Sequence, residues 1–231
     1  SIYHLAFGKS YFNPTSVQNI QFDKTFFLIE GSFIIKSRKE KINCSFKKGQ
    51  KKILKRNNKL YKKISEHIGL IPLVMISPDD IDLINDGSSL RRKFIDGILG
   101  QIDKDYLINL LNYNKVIAQR NSLLKYFAIN HTFDKKTIEI YNEQLNSLCI
   151  PIFEKRKEFM KVFSPLFIKR YESINSGKEK VKLEYSSSLK NTTLSDLLNN
   201  SINKDRNFQY TTEGVHKDDL DFLIHDKPVS Y

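Results

Sequence analysis

The stretch from Thr25 to Lys63, TFFLIEGSFIIKSRKEKINCSFKKGQKKILKRNNKLYKK, decides how the chain reads. Thr25-Phe26-Phe27-Leu28-Ile29 and Ser32-Phe33-Ile34-Ile35 are rich in aromatic and β-branched residues, which suit a pleated, half-buried surface. Ile42, Cys44 and Phe46 alternate with polar residues at the period of a strand. Lys48-Gly49 and Asn57-Asn58 fall between these runs, where hairpin turns need residues that tolerate positive φ. The reading is an antiparallel β meander. It is also strongly basic. Residues 36–63 carry 13 basic side chains and one acid, Glu40, so this stretch alone matches the net charge of +12 of the whole chain. Such density suits a polyanion, because each neutralised phosphate releases condensed counterions. It equally suits a solvated sheet face on which lysines block edge-to-edge pairing.

Outward from the meander, the rest of the chain reads as helix and then strand again. Leu73-Val74-Met75-Ile76 is a short apolar run compatible with a buried strand. Ser77-Pro78-Asp79-Asp80 then reads as a helix start, with Ser77 as N-cap and Pro78 in the first turn. From Ser88 to about Ser176 apolar residues recur at helical spacing: Leu90, Phe94, Ile95, Ile98; then Leu107, Leu110, Ile117, Leu124; then Ile138, Tyr141, Leu145, Leu148, Ile152. Pro151 and Pro165 should kink or interrupt the third helix. Asn175-Ser176-Gly177 ends it, with glycine in the cap role. Val181, Leu183 and Tyr185 alternate as a strand, Leu194 to Asn203 is a short amphipathic helix, and Leu220, Phe222 and Ile224 alternate before an Asp226-Lys227-Pro228 turn. The fold class is therefore α+β: an antiparallel β meander, a long helical insertion arm and return strands. The expected boundaries are 1–85 for the meander part, 86–177 for the helical lobe and 178–231 for the return.

Composition excludes several classes. With 231 residues, 40% apolar, 16 Phe and 11 Tyr, the chain can bury a core and is neither collagen-like nor disordered. It has no apolar run long enough to span a membrane and no signal-peptide pattern. Cys44 and Cys149 form no CxxC pair, and the five histidines show no metal-ligand spacing, so no metal site is expected. A reduced, cytoplasmic setting is the natural reading. Gly8-Lys9-Ser10 imitates the end of a phosphate-binding loop, but position 3 is Tyr where that loop needs glycine, and no strand precedes it. The chain begins at Ser1 in mid-pattern and reads as part of a longer protein.

The candidate phosphate contacts are Lys47, Lys48, Lys51, Lys52, Lys55 and Arg56 in the meander. Arg91, Arg92 and Arg120 in the helical segment are secondary candidates, since 8 of the 38 basic residues are Arg and arginine makes fork-like contacts to phosphate. The competing reading for Arg91 and Arg92 is an intramolecular pair with an acid such as Asp82 or Asp96. Gly214-Val215-His216-Lys217-Asp218-Asp219-Leu220 reads as a turn entering a strand or as a site loop at a strand end.

Five stretches, in order, resemble the RecF family of bacterial recombination mediators. Ile2-Tyr3-His4-Leu5-Ala6-Phe7-Gly8-Lys9-Ser10 looks like the end of the helix after that family's phosphate-binding loop. Ser65-Glu66-His67-Ile68-Gly69 with Ile76-Ser77-Pro78-Asp79-Asp80-Ile81-Asp82-Leu83-Ile84 is similar to its central motif. Gly87 to Asp96 and Tyr113 to Lys125 follow in the family's order. Gly214 to Leu220 looks like Gly-Pro-His-Arg-Asp-Asp-Leu, with Val215 for Pro and Lys217 for Arg. The resemblance implies part of an α/β ABC-type ATPase head related to SMC and Rad50. It implies binding of ATP with Mg, an ATP-dependent homodimer and DNA, single-stranded or as a gapped duplex. It also implies work with RecR and RecO to load RecA in gap repair, replication and the SOS response. His216, Lys217 and Asp218 would sit near the nucleotide or the dimer seam. The family's Walker A, signature and Walker B motifs are not in this sequence, so no catalytic residue is expected in it and the piece alone is expected to be inactive. The alternative is a non-enzymatic scaffold whose helical arm docks a partner while the basic charge serves solubility.

Overall fold

The computed structural model describes residues 1–13 and 15–229. They form two compact units, one of residues 1–77 with 100–102, the other of 78–99 with the residues from 103 onward.

The first unit is the meander with a helix packed on it. Helix α1 (Ile2–Phe7) ends at Gly8, which adopts the left-handed conformation at φ 66. Because Gly8-Lys9-Ser10 follows a helix instead of preceding one, it is no phosphate-binding loop. Strands β1 (Phe26–Ile35), β2 (Arg38–Lys47), β3 (Ile53–Arg56) and β4 (Lys59–Leu60) pair antiparallel in that order. The two segments expected at 25–29 and 32–35 are one ten-residue strand, continuous through Glu30-Gly31. Alternation sorts the faces. Phe27, Ile29 and Phe33 of β1 pack with Leu5, Ile42, Cys44 and Leu54 in a small core, while Phe26, Leu28, Glu30, Ser32 and Ile34 point outward. Lys36-Ser37 and Asn57-Asn58 all have positive φ, the two-residue turn geometry that matches strand twist.

One expected strand is absent. Leu73-Val74-Met75-Ile76 is irregular, with Val74 75% and Ile76 84% exposed. A four-residue apolar run has no periodicity to separate a strand from a loop, and here Pro72 and Pro78 bracket it. The Leu73 N–H instead donates to Oε1 of Gln101 at 2.9 Å. Nearby, Gly69 has φ +85, and a Cβ there would lie 2.2 Å from the Gln101 carbonyl oxygen, so this close approach requires glycine.

The second unit holds the helices and a second sheet around one core. The helix expected at Pro78 is a 3-10 turn, Pro78–Ile81, followed by the single turn α2 (Asp82–Asn85). Then come α3 (Ser88–Ile102), α4 (Lys104–Ile129) and α5 (Lys135–Asn175). Side chains of Asp103 and Asp134 accept N–H bonds at the starts of α4 and α5. Pro151 and Pro165 do not interrupt α5, which runs unbroken for 41 residues. Its packing outweighs the lost hydrogen bonds: Ile152, Phe153 and Met160 are buried around them, and the Ser164 hydroxyl donates to the Leu183 carbonyl at 2.9 Å. The helix ends at Ser176 in the left-handed conformation, one residue before the glycine expected there. Strands β5 (Val181–Ser186), β6 (Asp219–Ile224) and β7 (Lys227–Pro228) form an antiparallel sheet, with α6 (Leu194–Phe208) between β5 and β6 in sequence. The core joins Ile95 and Leu99 of α3, Tyr106, Tyr113 and Val116 of α4, Leu145, Cys149 and Ile152 of α5, and Leu183, Leu198, Val215 and Leu220. The architecture is α+β, as the sequence pattern implies.

Candidate nucleic-acid interface

The meander lysines fall into two groups. Lys47, Lys48 and Lys51 are exposed at and beside the turn leaving β2, and Lys24 and Gln50 are exposed there too. Gly49, at φ +81, lets this turn fold back, and the Lys48 N–H bonds the Thr25 carbonyl at 2.9 Å. These ammonium groups can reach a phosphate backbone without rearrangement. The other candidates are committed inside the unit. Lys52 donates to the Gly8 carbonyl at 2.6 Å, and Arg56 forks onto Glu40 with 2.8 and 2.6 Å bonds. Asn57 adds a third donor to Glu40 at 2.6 Å. Hydrogen bonds from Arg56, with its charge and the Asn57 amide, hold the Glu40 carboxyl down at about 2. Arg56 is therefore a structural residue of the β2–β3 ladder. Lys55 is half-buried on the outer face of β3, away from the turn.

The arginines of the second unit correct the sequence reading more sharply. Arg91 is 5% exposed. Its guanidinium forks onto Asp219 at 2.7 and 3.0 Å and donates to the Leu83 and Asp86 carbonyls. The partner is an acid, as one reading held, but neither Asp82 nor Asp96. Arg92 donates to the Asp218 carbonyl oxygen. Arg120 is fully buried and bonds Asn142, Asp205 and Thr211 at 2.9, 2.7 and 2.8 Å. Buried, bonded guanidinium groups cannot serve as surface phosphate contacts, so Arg91 and Arg120 leave the candidate interface.

The loop 214–220 is pinned from below. The Gly214 backbone has φ +123, and a Cβ there would meet the Tyr113 hydroxyl at 2.5 Å, so only glycine fits. His216 Nε2 lies 3.0 Å from the Thr211 carbonyl and therefore donates, leaving Nδ1 to accept from the Tyr113 hydroxyl at 2.9 Å. Burial pushes the imidazole down to about 4, with Lys217 and Arg92 adding to the drop and the Thr211 bond and Asp205 opposing it. The ring is neutral at pH 7. Asp218 is buried; burial pushes its carboxyl up against the bonds from Tyr185 and Arg156. Only Lys217 presents its side chain to solvent, with Nζ 4.8 Å from the Tyr210 ring centroid. Of the three residues expected near a nucleotide, His216 thus uses both ring nitrogens internally and Asp218 uses Oδ2, while Asp218 Oδ1 is buried without a hydrogen-bond partner among the described residues. The loop forms no phosphate cradle by itself.

Sequence reasoning missed the residue that organises this loop. Arg156, in the middle of α5, is 1% exposed. It bonds Asp96 through Nε and Nη2, the Val215 carbonyl at 2.7 Å and Asp218 Oδ2 at 3.0 Å. Tyr106 and Tyr185 complete the cluster, Tyr106 on Asp96 at 2.5 Å and Tyr185 on Asp218. Burial works against the Arg156 charge, and Asp96, Tyr106, Tyr185 and Asp218 outweigh it, so the guanidinium stays charged. Its spacing from Ile152 and Met160, four residues either way, was the available signal.

The His216 environment gives a pH prediction. The unfolded imidazole titrates near 6.5 and the folded one near 4, so between those values the unfolded state binds more protons. The stabilisation is complete above pH 6.5 and is lost as pH falls toward 4, at most about 3 kcal/mol. Urea midpoints of the full-length protein should fall over that window, and His216→Gln should flatten the fall.

Among the described residues no group of His, Cys, Asp and Glu could hold a metal ion, and no helix is long and apolar enough to cross a membrane.

No family model matches the chain. The DNA replication and repair protein RecF of Flavobacterium johnsoniae is 56% identical over 229 residues, covering 99% of this chain and 64% of that protein. Its namesake in Phocaeicola vulgatus is 42% identical, covering 99% of this chain and 61% of that protein. Among solved structures, the recombination mediator protein RecF-ATP in the RecFOR pathway superposes with a TM-score of 0.90 at 28% identity, over 98% of this chain and 63% of that one. The chain thus spans a little over three fifths of the length of the relatives it matches.

Proposed function

Because the chain is RecF-like over its whole length, we propose that it is the central part of a DNA-binding, ATP-dependent recombination mediator acting in gap repair, replication and the SOS response. In this reading residues 1–85 and 178–231 belong to an ATPase lobe and 86–177 to a helical second lobe. The whole protein binds ATP with Mg, dimerises around it in the cytoplasm, and works with RecR and RecO to load RecA. Lys217, the exposed member of its loop, is the residue of 214–220 that would face the nucleotide or the dimer seam.

The observation that supports DNA contact is the cluster Lys47, Lys48 and Lys51 on the turn after β2. Such lysines position a phosphate backbone and carry no base readout. Replacing the three with glutamine in the full-length protein should weaken binding to a gapped duplex about tenfold. The slope of log K against log salt should shrink by roughly 2 to 3, about 0.9 per lost phosphate contact. Unchanged affinity and slope would leave the meander a solvated sheet.

A second reading, a scaffold docked through the helical arm, draws on exposed apolar residues there: Ile108 50%, Leu111 48%, Ile129 75%, Ile140 55% and Val162 65% exposed. Hydrogen exchange separates the two. Protection confined to residues 88–176 by a RecR-type partner favours the scaffold, and protection at 47–51 by DNA favours the first reading.

A further inference from the structure

The outer face of the four-stranded sheet has a composition that neither solubility nor phosphate binding explains. Phe26, Leu28, Ile34, Ile53 and Leu60 all point outward, and they are 57%, 55%, 83%, 39% and 61% exposed. Lysines stand among them in register: Phe26 faces Lys47, Ile34 faces Lys39 and Leu60 faces Lys55, while Leu28, Ser45 and Ile53 form one row across three strands. Glu30 is the acid on this face, and it is already beside Lys41 at 3.4 Å. Exposed apolar side chains in such density mark an interaction surface.

The chemistry selects the occupant. A phosphate backbone laid here would set hydrated oxygens against Ile34, Leu28 and Leu60, and only Phe26 offers a ring on which a base could stack. A second copy of the same face would bring lysine against lysine, which is destabilising at directly opposed positions. A protein segment that alternates apolar and acidic side chains satisfies both sets at once. Its apolar groups cover Leu28, Ile34 and Leu60, and its carboxylates meet Lys39, Lys41 and Lys55. We propose that this outer sheet face docks an acidic, apolar segment of a partner protein. The surface shares Lys47 with the turn cluster but excludes Lys48 and Lys51, and the proposal does not rest on the DNA reading.

The test uses the full-length protein. Cys44 and Cys149 are buried, so within this chain maleimide reports on an Ile34→Cys variant, and labelling is counted as the excess over the same protein without the substitution. Rapid labelling is expected; a protected thiol would show that the rest of the protein covers the face and would overturn the proposal. The probe is a fluorescent peptide of alternating leucine and aspartate, as long as β1. It should bind, slow the labelling of Ile34→Cys, and lose at least about fivefold in affinity with Leu28→Ser plus Ile34→Ser and, separately, with Lys39→Gln plus Lys41→Gln. DNA affinity should be unchanged in the serine pair. Equal binding of a peptide with its leucines and aspartates segregated into blocks would sink the proposal. So would protection of Ile34→Cys by an oligothymidine but not by the peptide, which would make the face a nucleic-acid surface.

Discussion

Arg156→Met is expected to lower the stability of the second unit by about 3–5 kcal/mol, the usual loss when one partner of a buried ion pair is removed. The guanidinium is 1% exposed and bridges Asp96 of α3, Asp218 and the Val215 carbonyl. Methionine fills most of the volume but leaves Asp218, 2% exposed, with the Tyr185 hydroxyl and without its charge partner. Asp218 would then protonate, and the loop 214–220 would lose its anchor from below. Arg156→Lys keeps the charge but not the fork, so it should restore only part of the loss. Urea midpoints measure the energy, and hydrogen exchange at Val215 to Leu220 measures the loop. A wild-type midpoint for Arg156→Met would mean that desolvation cancels the attraction and that the cluster serves only to select one arrangement.

This cluster shows what the sequence could and could not convey. The meander was legible because its determinants are local: alternation at period two and paired asparagines at a turn. The helices were legible for the same reason, but their caps were not: Asp103 and Asp134, which cap α4 and α5, were not read as caps, and the glycine expected to end α5 lies one residue beyond its left-handed Ser176. Failures came where a local signal was overruled from a distance. Pro151 and Pro165 argue for a break, yet α5 continues through both, packed against side chains of other elements. Leu73 to Ile76 has the composition of a strand and no partner strand to pair with.

The arginines were only partly legible for a related reason: an acid partner was one reading for Arg91, but which acid was not. Arg91 pairs with Asp219, 128 residues away, and no spacing rule links them. What the sequence did contain was burial. Arg120 stands between Ile117 and Leu124 at helical spacing, and Arg156 between Ile152 and Met160. An arginine on the apolar stripe of a helix is a buried ion pair before it is a ligand contact, whereas lysines at a Gly-containing turn are exposed. Applied to the nine candidate contacts, that distinction keeps Lys47, Lys48 and Lys51 and sets aside Arg91 and Arg120.

Arg120 and Asp205 permit a sharper experiment, because both side chains are fully buried and each is bonded elsewhere as well. Arg120 also holds Asn142 of α5 and Thr211, while Asp205 Oδ1 takes the N–H and hydroxyl of Thr212 at 2.8 and 2.6 Å. The pair thus ties α4, α5 and α6 to the segment that leads into the His216 loop. Arg120→Met alone should cost about 3–5 kcal/mol, because Asp205 is left buried without its charge partner. Asp205→Leu alone should cost a similar amount, since it strands the guanidinium and the two Thr212 donors. The double variant should be much less destabilised than the sum, giving a coupling of roughly 2–3 kcal/mol. It will not return to wild type, because Asn142, Thr211 and Thr212 still lose partners. If the two losses simply add, the charges do not act as a pair, and the network is held by its neutral hydrogen bonds. Strong coupling would instead make the ion pair the clasp that fixes the approach to residues 214–220, and Lys217 with it.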